Sequence, residues 1–183
     1  MKKKVFTIPN ILSMFRIILI PFIVWAFFAF RGNIPAIALM LVSGLTDIVD
    51  GYIARRYDMV SDLGKILDPI ADKLTQCAVL VCLAIKTVPV RWLLGLMVLK
   101  ELALGIVGLC TVKRTGVVTG AFWHGKASTV TLYTVMLLHM LFPEMPEYSS
   151  AILVSVSAIM MLLSLVLYIR EDVSIMKDHK AEE

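Results

Sequence analysis

Charged residues are scarce in this chain of 183 residues, and apolar runs leave little length for a separate soluble domain. Only 17% of the residues are Asp, Glu, Lys or Arg, whereas 59% are hydrophobic, and the mean hydropathy is +0.86. A typical soluble domain contains roughly 45–50% apolar residues, so this composition excludes an ordinary soluble protein. We therefore expect an integral membrane protein.

Cysteine is rare as well, and its placement argues against a redox function. Cys77, Cys82 and Cys110 fall inside apolar segments, without ligand-like spacing or polar neighbours. Such cysteines are expected to act as small hydrophobic side chains. The formal net charge of +4 suits a surface that faces anionic lipid, and it gives no reason to expect a nucleic-acid partner.

Six apolar segments are candidates for membrane spans, each of which needs about 20 mostly apolar residues. They cover residues 17 to 30, 34 to 54, 66 to 86, 90 to 112, 122 to 142 and 149 to 169. The predicted fold is all-α, with one membrane domain over residues 1–183: a juxtamembrane segment (1–16), a six-helix bundle (17–170) and a cytoplasmic tail (171–183). The juxtamembrane segment mixes polar and apolar side chains, which predicts an N-terminal interfacial amphipathic helix.

The basic residues indicate how the chain is oriented in the membrane. Most of them lie at the two ends and in the connections after the second and fourth segments: Lys2 to Lys4, Arg55, Arg56, Lys65, Lys113, Arg114, Lys126, Arg170, Lys177 and Lys180. By the positive-inside rule this side faces the cytoplasm, as do both termini when the number of spans is even. The expected location is the cell (inner, cytoplasmic) membrane.

Four aspartates stand out against the apolar background: Asp47, Asp50, Asp68 and Asp72. An ionised carboxylate at membrane depth costs several kcal/mol unless it is paired, hydrated or bound to a cation. Spacings of three and four residues place each pair on one helix face, and the loop between them can turn the two faces toward each other. Pro69 is expected in the first turn of the third span, where its missing N–H is tolerated.

These carboxylates predict a metal site on the cytoplasmic side of the membrane. Ligation by oxygen alone, with no His or Cys nearby, favours Mg²⁺ or Mn²⁺, and four carboxylates can hold two such ions. Gly51 and Ala54 share the first carboxylate face and leave room for a ligand to approach the backbone. Arg55 adds a positive charge suited to phosphate. Together these residues predict a phosphate-ester site.

The combined pattern D-x2-D-G-x2-A-R-x8-G-x3-D-x3-D resembles the signature of the CDP-alcohol phosphatidyltransferase family. It is filled here by Asp47, Asp50, Gly51, Ala54, Arg55, Gly64, Asp68 and Asp72. The resemblance implies a CDP-linked lipid whose diphosphate binds two divalent cations held by all four aspartates. It also implies that Asp72 acts as the general base, that Gly51, Ala54, Arg55 and Gly64 line the CDP-lipid site, and that the protein is a homodimer.

The family resemblance further implies a direct displacement. The hydroxyl of an acceptor alcohol attacks the lipid-side phosphorus of CDP-diacylglycerol, and CMP leaves. The opening Pro9-Asn10-Ile11-Leu12, with Ser13, Arg16 and Pro21, resembles phosphatidylglycerophosphate synthases and so indicates glycerol 3-phosphate as acceptor. Related cardiolipin synthases share this opening. A phosphatidylglycerol or inositol-type acceptor therefore stays open as an alternative.

Basic residues for a phosphorylated acceptor are less clearly marked. Lys100-Glu101 and Gly125-Lys126-Ala127-Ser128-Thr129 resemble two elements of those synthases, but each element lacks one basic residue. The acceptor-binding candidates are Lys100, Lys113, Arg114 and Lys126. Lys113 and Arg114 also fit a purely topological function, and Lys100 with Glu101 also fits a structural ion pair.

Two other classes of membrane protein also use intramembrane carboxylates. In an ion-coupled transporter they would carry protons or sodium, and in a membrane prenyltransferase they would bind Mg²⁺ and a diphosphate. Neither class accounts for Gly51, Ala54 and Arg55 between the two aspartate pairs.

Overall fold

The computed structural model describes residues 7–30, 32–56, 64–116 and 122–182, with side chains described except at positions 8, 54, 55, 65, 66 and 178–182. All regular structure in these ranges is helical, as predicted. The helices are α1 (Ile8–Ala29), α2 (Ile34–Arg56), α3 (Gly64–Lys86), α4 (Val88–Thr115), α5 (Trp123–Leu141) and α6 (Glu147–Glu182).

Local sequence signals explain several helix ends. Thr7 and Thr87 have extended backbones and precede α1 and α4, and each helix has a proline within its first two positions. Proline suits this place because the first N–H groups of a helix have no partner within the helix. α4 ends at Gly116, which has φ +68° and donates its N–H to the Val112 carbonyl oxygen at 2.9 Å. Glycine takes this left-handed conformation without steric cost.

In the described part of the chain, four helices are long and apolar enough to cross a bilayer: Pro9–Ala29, Ile34–Ile53, Val88–Thr115 and Glu147–Lys177. The chain is thus a multi-pass membrane protein. α3 and α5 are more polar, because the first turns of α3 carry Asp68, Asp72 and Lys73 and α5 carries His124, Lys126 and His139. Six helices are confirmed in the described residues, whereas six spans remain a prediction.

Several helices bury polar side chains and expose large apolar ones, which a soluble helix seldom does. On α1, Asn10, Ser13 and Arg16 are at most 2% exposed, whereas Phe22 and Trp25 are 54% and 62% exposed. A similar division runs along α6, where Ser150, Ser157 and Ser164 are buried and Val156, Ile159 and Val166 are exposed. A helix in lipid is expected to direct its polar groups toward protein in this way.

The ends of the predicted bundle differ from the observed helices. α1 runs without interruption from Ile8 to Ala29, so the described part of segment 1–16 is continuous with the first span and is not a separate interfacial helix. Its polar side chains are spaced three residues apart and are buried within the protein. At the other end, α6 continues to Glu182, through most of the predicted tail.

Pro69 also lies elsewhere than expected. α3 begins at Gly64, so Pro69 is inside the helix, beyond the first turn. A proline at an internal position removes one main-chain hydrogen bond. The interruption falls between Asp68 and Asp72.

The chain packs as two compact units. One comprises the chain up to Leu83 together with Met140–Pro143; within it α1 packs on α2, and Asn33 Nδ2 donates to the Met140 carbonyl oxygen at 2.9 Å. The other comprises Ala84–His139 and the chain from Glu144 onward; within it α4 packs on α6.

Candidate active site

The four aspartates lie in the first unit, on two helices. Asp47 and Asp50 occupy the last turns of α2, and Asp68 and Asp72 the first turns of α3. The Asp50 side chain is 2% exposed, whereas those of Asp47 and Asp68 are 50% and 39% exposed. The cluster therefore has one closed side, at Asp50, and one open side, at Asp47 and Asp68.

Three of these carboxylates converge on the guanidinium group of Arg16, which is 1% exposed on α1. Arg16 Nη1 donates to Asp47 Oδ1. Arg16 Nη2 donates to Asp50 Oδ2 at 3.0 Å and to Asp68 Oδ1 at 3.3 Å. Arg16 Nε is buried and has no hydrogen-bond partner. Asp47 and Asp50 of the first pair thus meet Asp68 of the second, around a cation that comes from a third helix.

Ser13 and Gln76 hold two of the aspartates in place. The Ser13 hydroxyl lies within reach of Asp68 Oδ1 and 2.9 Å from the Pro9 carbonyl oxygen, and its single proton can be donated to only one of them at a time. Gln76 Nε2 donates to Asp72 Oδ2 at 2.9 Å, one turn further along α3. Asp72 and Asp68 both repel the charge of Asp47. All four aspartates thus belong to one electrostatic cluster.

The side chains of this cluster fit a hard divalent cation. In the described ranges, no three His, Cys, Asp or Glu side chains are grouped tightly enough to form a ready-made metal centre. However, the oxygens of Asp47, Asp50 and Asp68 already surround one positive group. Anionic oxygen ligands are those that Mg²⁺ and Mn²⁺ prefer.

The residues predicted to line the CDP-lipid site lie on the same two helices. Gly51 follows Asp50 on α2 and is half-buried, and Gly64 is buried at the first position of α3. Ala54 and Arg55 belong to the end of α2, but their side chains fall outside the described part of the chain. Their functions remain predictions.

The acceptor-binding candidates all lie in the second unit. Lys100 on α4 is 5% exposed, and its Nζ donates to Ser128 Oγ on α5 at 3.3 Å. Ser128 belongs to the same short segment as Gly125 and Lys126, so the contact joins the two elements singled out in the sequence. Lys113 and Arg114 are exposed at the end of α4, and Lys126 is exposed near the start of α5.

Comparison with known proteins decides the family. Residues 6–170 match the family described as CDP-alcohol phosphatidyltransferase. The chain belongs to this family. The resemblance found in the aspartate pattern is thereby confirmed, and the match extends over all but the ends of the chain.

Two relatives that match most of this chain are named after different lipid products. A cardiolipin synthase (CMP-forming) of Streptomyces coelicolor is 34% identical over 135 residues, 70% of this chain and 62% of that protein. A probable phosphatidylglycerophosphate synthase of Mycobacterium tuberculosis is 28% identical over 165 residues, 87% of this chain and 78% of that protein.

A third relative matches over a shorter region. The CDP-diacylglycerol–glycerol-3-phosphate 3-phosphatidyltransferase of Haemophilus influenzae is 44% identical over 78 residues, 42% of each chain. The present chain therefore spans less than two thirds of the Streptomyces and Haemophilus proteins.

The sequence pattern did not reveal that Arg16 and Ser13 belong to the aspartate cluster of this family member. Both were noted only as parts of the opening motif, yet they contact the aspartates directly. Their spacing was an available signal, since Asn10, Ser13 and Arg16 recur every three residues and share a helix face. An arginine in an apolar helix also needs a partner, and the four aspartates were acids that themselves needed a cation.

A second group of side chains in α5 and α6 was also missed. His124 is 4% exposed, and its ring packs against those of Phe122 and Tyr168, with centroids 5.4 and 4.5 Å apart. The Phe122 N–H donates to Tyr168 Oη at 3.1 Å. A Cβ atom on Gly125 would lie 2.9 Å from Tyr168 Cε2, so glycine permits this close approach. Nothing in the local sequence of α5 pointed to Tyr168.

Proposed function

We propose that the protein transfers a phosphatidyl group from CDP-diacylglycerol to glycerol 3-phosphate, forming phosphatidylglycerophosphate and releasing CMP. The observation that carries the proposal is the convergence of Asp47, Asp50 and Asp68 on one positive group where α2 and α3 meet. Family membership supports the CDP-alcohol chemistry. The names of the Mycobacterium and Haemophilus relatives support the acceptor.

In this proposal, Asp47, Asp50, Asp68 and Asp72 hold two divalent cations, Mg²⁺ or Mn²⁺. When bound, such ions offset the charge of the diphosphate and of the leaving CMP. Ser13 orients the Asp68 carboxylate, since its hydroxyl can donate to Asp68 Oδ1. Asp50 is buried and fixes the closed side of the site, whereas the more exposed Asp47 and Asp68 face the side from which ligands enter.

Asp72 is the proposed general base. The acceptor hydroxyl oxygen forms a bond to the lipid-side phosphorus while the bond from that phosphorus to the CMP oxygen breaks. CMP leaves with the electron pair, and the hydroxyl proton passes to the Asp72 carboxylate. The hydrogen bond from Gln76 Nε2 to Asp72 Oδ2 supports this assignment, because a base must be held in a fixed orientation.

Substrate binding is assigned to two sets of residues. Gly51, Ala54, Arg55 and Gly64 are proposed to line the CDP-lipid site. Lys100, Lys113, Arg114 and Lys126 are proposed to bind the phosphate of the acceptor. The contact from Lys100 Nζ to Ser128 Oγ supports the second set, because it joins α4 to the segment that carries Lys126.

Phosphatidylglycerol is the second candidate acceptor, and its product would be cardiolipin. The observation in its favour is the 34% identity to the Streptomyces cardiolipin synthase over 70% of this chain. An inositol-type alcohol is a further alternative with the same chemistry. Ion-coupled transport is a remote one, because it does not use the residues between the aspartate pairs.

We further propose that all six helices cross the cell (inner, cytoplasmic) membrane, that both termini and the active site face the cytoplasm, and that the protein is a homodimer. The distribution of basic residues supports the orientation. α3 has 23 residues, or about 35 Å of helix, which is long enough to span the roughly 30 Å hydrocarbon layer.

CMP release by the detergent-purified protein tests the proposed reaction. CDP-diacylglycerol and Mg²⁺ are supplied with glycerol 3-phosphate, phosphatidylglycerol, inositol phosphate or no acceptor. Release that depends on glycerol 3-phosphate is the expected result. Release with another alcohol alone would keep the mechanism and change the substrate, and no metal-dependent release with any acceptor would contradict the transferase assignment.

A further inference from the structure

Among the described side chains of the aspartate cluster, Arg16 stands out because the proposed reaction does not use it. Its guanidinium group lies on the closed side of the site, 1% exposed, and contacts carboxylates from both α2 and α3. An arginine side chain stays protonated at any pH a protein tolerates, so its charge is permanent. The cluster therefore always contains one cation of its own.

Arg16 and the carboxylates around it stabilise each other. A buried guanidinium group is stable only when it is paired and hydrogen-bonded, and Asp47, Asp50 and Asp68 provide that pairing. Conversely, Asp47 is repelled by Asp68 and Asp72 and gains from a positive neighbour. Arg16 thus has the position and charge to hold the carboxylates together before any metal binds.

The contacts of Arg16 use oxygens that a divalent cation would need. They are Asp47 Oδ1, Asp50 Oδ2 and Asp68 Oδ1. Mg²⁺ binds carboxylate oxygens at about 2.1 Å, closer than a guanidinium nitrogen can approach, and two cations at one cluster repel each other. The open side at Asp47 and Asp68 offers a route by which a cation can enter while Arg16 remains beside Asp50.

We propose that Arg16 is a built-in counter-cation that competes with divalent metal ions for Asp47, Asp50 and Asp68. It stabilises the metal-free site and lowers its affinity for metal, and it gives up part of its carboxylate contacts when metal binds. This inference rests on the metal site of the proposed function. It adds that cation affinity is set by an arginine on α1, in addition to the four aspartates.

Mn²⁺ binding and thermal unfolding of the full-length protein in detergent test this competition. The free Mn²⁺ concentration is followed by electron paramagnetic resonance, and Tm is measured in EDTA and in Mn²⁺. The variants are Arg16→Gln and Arg16→Lys. Arg91→Gln is the matched control, because Arg91 lies in the other unit and its Nε donates to the Ala84 carbonyl oxygen at 2.8 Å.

Arg16→Gln is expected to lower Tm in EDTA, to bind Mn²⁺ at least about tenfold more tightly than the wild type, and to gain more Tm on Mn²⁺ addition. One buried competing charge is enough to account for a tenfold change, which corresponds to about 1.4 kcal/mol. Arg91→Gln is expected to keep the wild-type Kd for Mn²⁺. The Kd of Arg16→Lys for Mn²⁺ is expected to lie between those of Arg16→Gln and the wild type. An ammonium group keeps the charge but cannot match the fork of a guanidinium on three carboxylates.

The outcomes separate this inference from the proposed function. Wild-type binding of Mn²⁺ with no tighter binding in Arg16→Gln overturns the competition alone. If the wild type does not bind Mn²⁺, or if Asp68→Asn does not change the Kd for Mn²⁺, the metal site is overturned and the competition with it. If Arg16→Gln fails to fold, the test uses Arg16→Lys. A Kd of Arg16→Lys for Mn²⁺ equal to that of the wild type then overturns the inference.

Discussion

In the proposed reaction, single carboxylates determine the chemistry of the site. Asp68 is the most informative of them, because it accepts from both Arg16 and Ser13 while its side chain remains 39% exposed. Asparagine at this position keeps the shape of the side chain but removes its charge, so the proposed metal site loses one anionic ligand. The fold should tolerate the change, since α3 does not depend on this charge for its apolar packing.

We predict that Asp68→Asn lowers CMP release by about 10²–10³-fold or more, the scale expected when one group that stabilises transition-state charge is lost. The protein should still be purified as a folded membrane protein. Asp172→Asn is the matched control, a 3% exposed aspartate on α6, and should retain activity. Substantial turnover by Asp68→Asn would remove Asp68 from the proposed metal ligands.

Ser13 allows a finer test at the residue scale. Ser13→Ala removes the hydroxyl that reaches Asp68, and a hydrogen bond to a charged group is worth about 1.5–3 kcal/mol. We expect kcat to fall about tenfold or more, with Mn²⁺ affinity also reduced. Ser157→Ala is the control, because Ser157 is buried and its hydroxyl has no hydrogen-bond partner. Equal kcat values in the two variants would show that Ser13 does not position Asp68.

Lys126 tests the acceptor site. Lys126→Ala should raise the KM for glycerol 3-phosphate about tenfold, because a cation is lost from the proposed phosphate site, while the KM for CDP-diacylglycerol changes little. Lys177, which is also exposed but lies near the end of α6, provides the matched control Lys177→Ala. If the KM for the acceptor does not change, Lys126 has a topological function.

At the scale of elements, the sequence predicted helices and the aspartate pairs but not the partner of those pairs. The aspartate spacings of three and four residues follow from the helical period alone, so both pairs lie on helix faces as expected. The contact of Arg16 with Asp50 joins residues 34 positions apart, and no local rule determines such a pairing. Similarly, the third apolar segment begins at residue 66, which puts Pro69 in a first turn, whereas α3 begins earlier, at Gly64.

α5 and α6 approach each other closely at Gly125. A methyl group on Gly125 would lie within 3.0 Å of the Tyr168 ring, and the ring also packs on His124. We predict that Gly125→Ala destabilises the protein by about 1–3 kcal/mol, the usual cost of overpacking. Gly105→Ala is the control, since a Cβ atom there meets no atom within 4 Å and alanine favours the helix. Thermal unfolding in detergent measures both, and an equal Tm for the two variants would contradict the prediction.

For the whole molecule, the open question is the number of spans. Composition identified a membrane protein because apolar residues exceed what a soluble domain contains, and four helices in the described ranges are long and apolar enough to span a bilayer. α3 and α5 fall short because each includes polar groups. In α3 these include the aspartates of the candidate site, which lower the hydropathy by which a span is recognised.

A model with six spans and a model with four spans place each end of α4 on different sides of the membrane. With the N-terminus inside and six spans, Lys86 lies outside and Lys113 inside; if α3 and α5 do not cross, the two are exchanged. We predict that, with the three native cysteines replaced by alanine, Lys113→Cys is labelled by an impermeant thiol reagent only from the cytoplasmic side and Lys86→Cys only from outside. Glu144→Cys and Lys177→Cys serve as controls, since both models place them outside and inside, respectively. The reverse labelling of Lys86→Cys and Lys113→Cys would establish four spans.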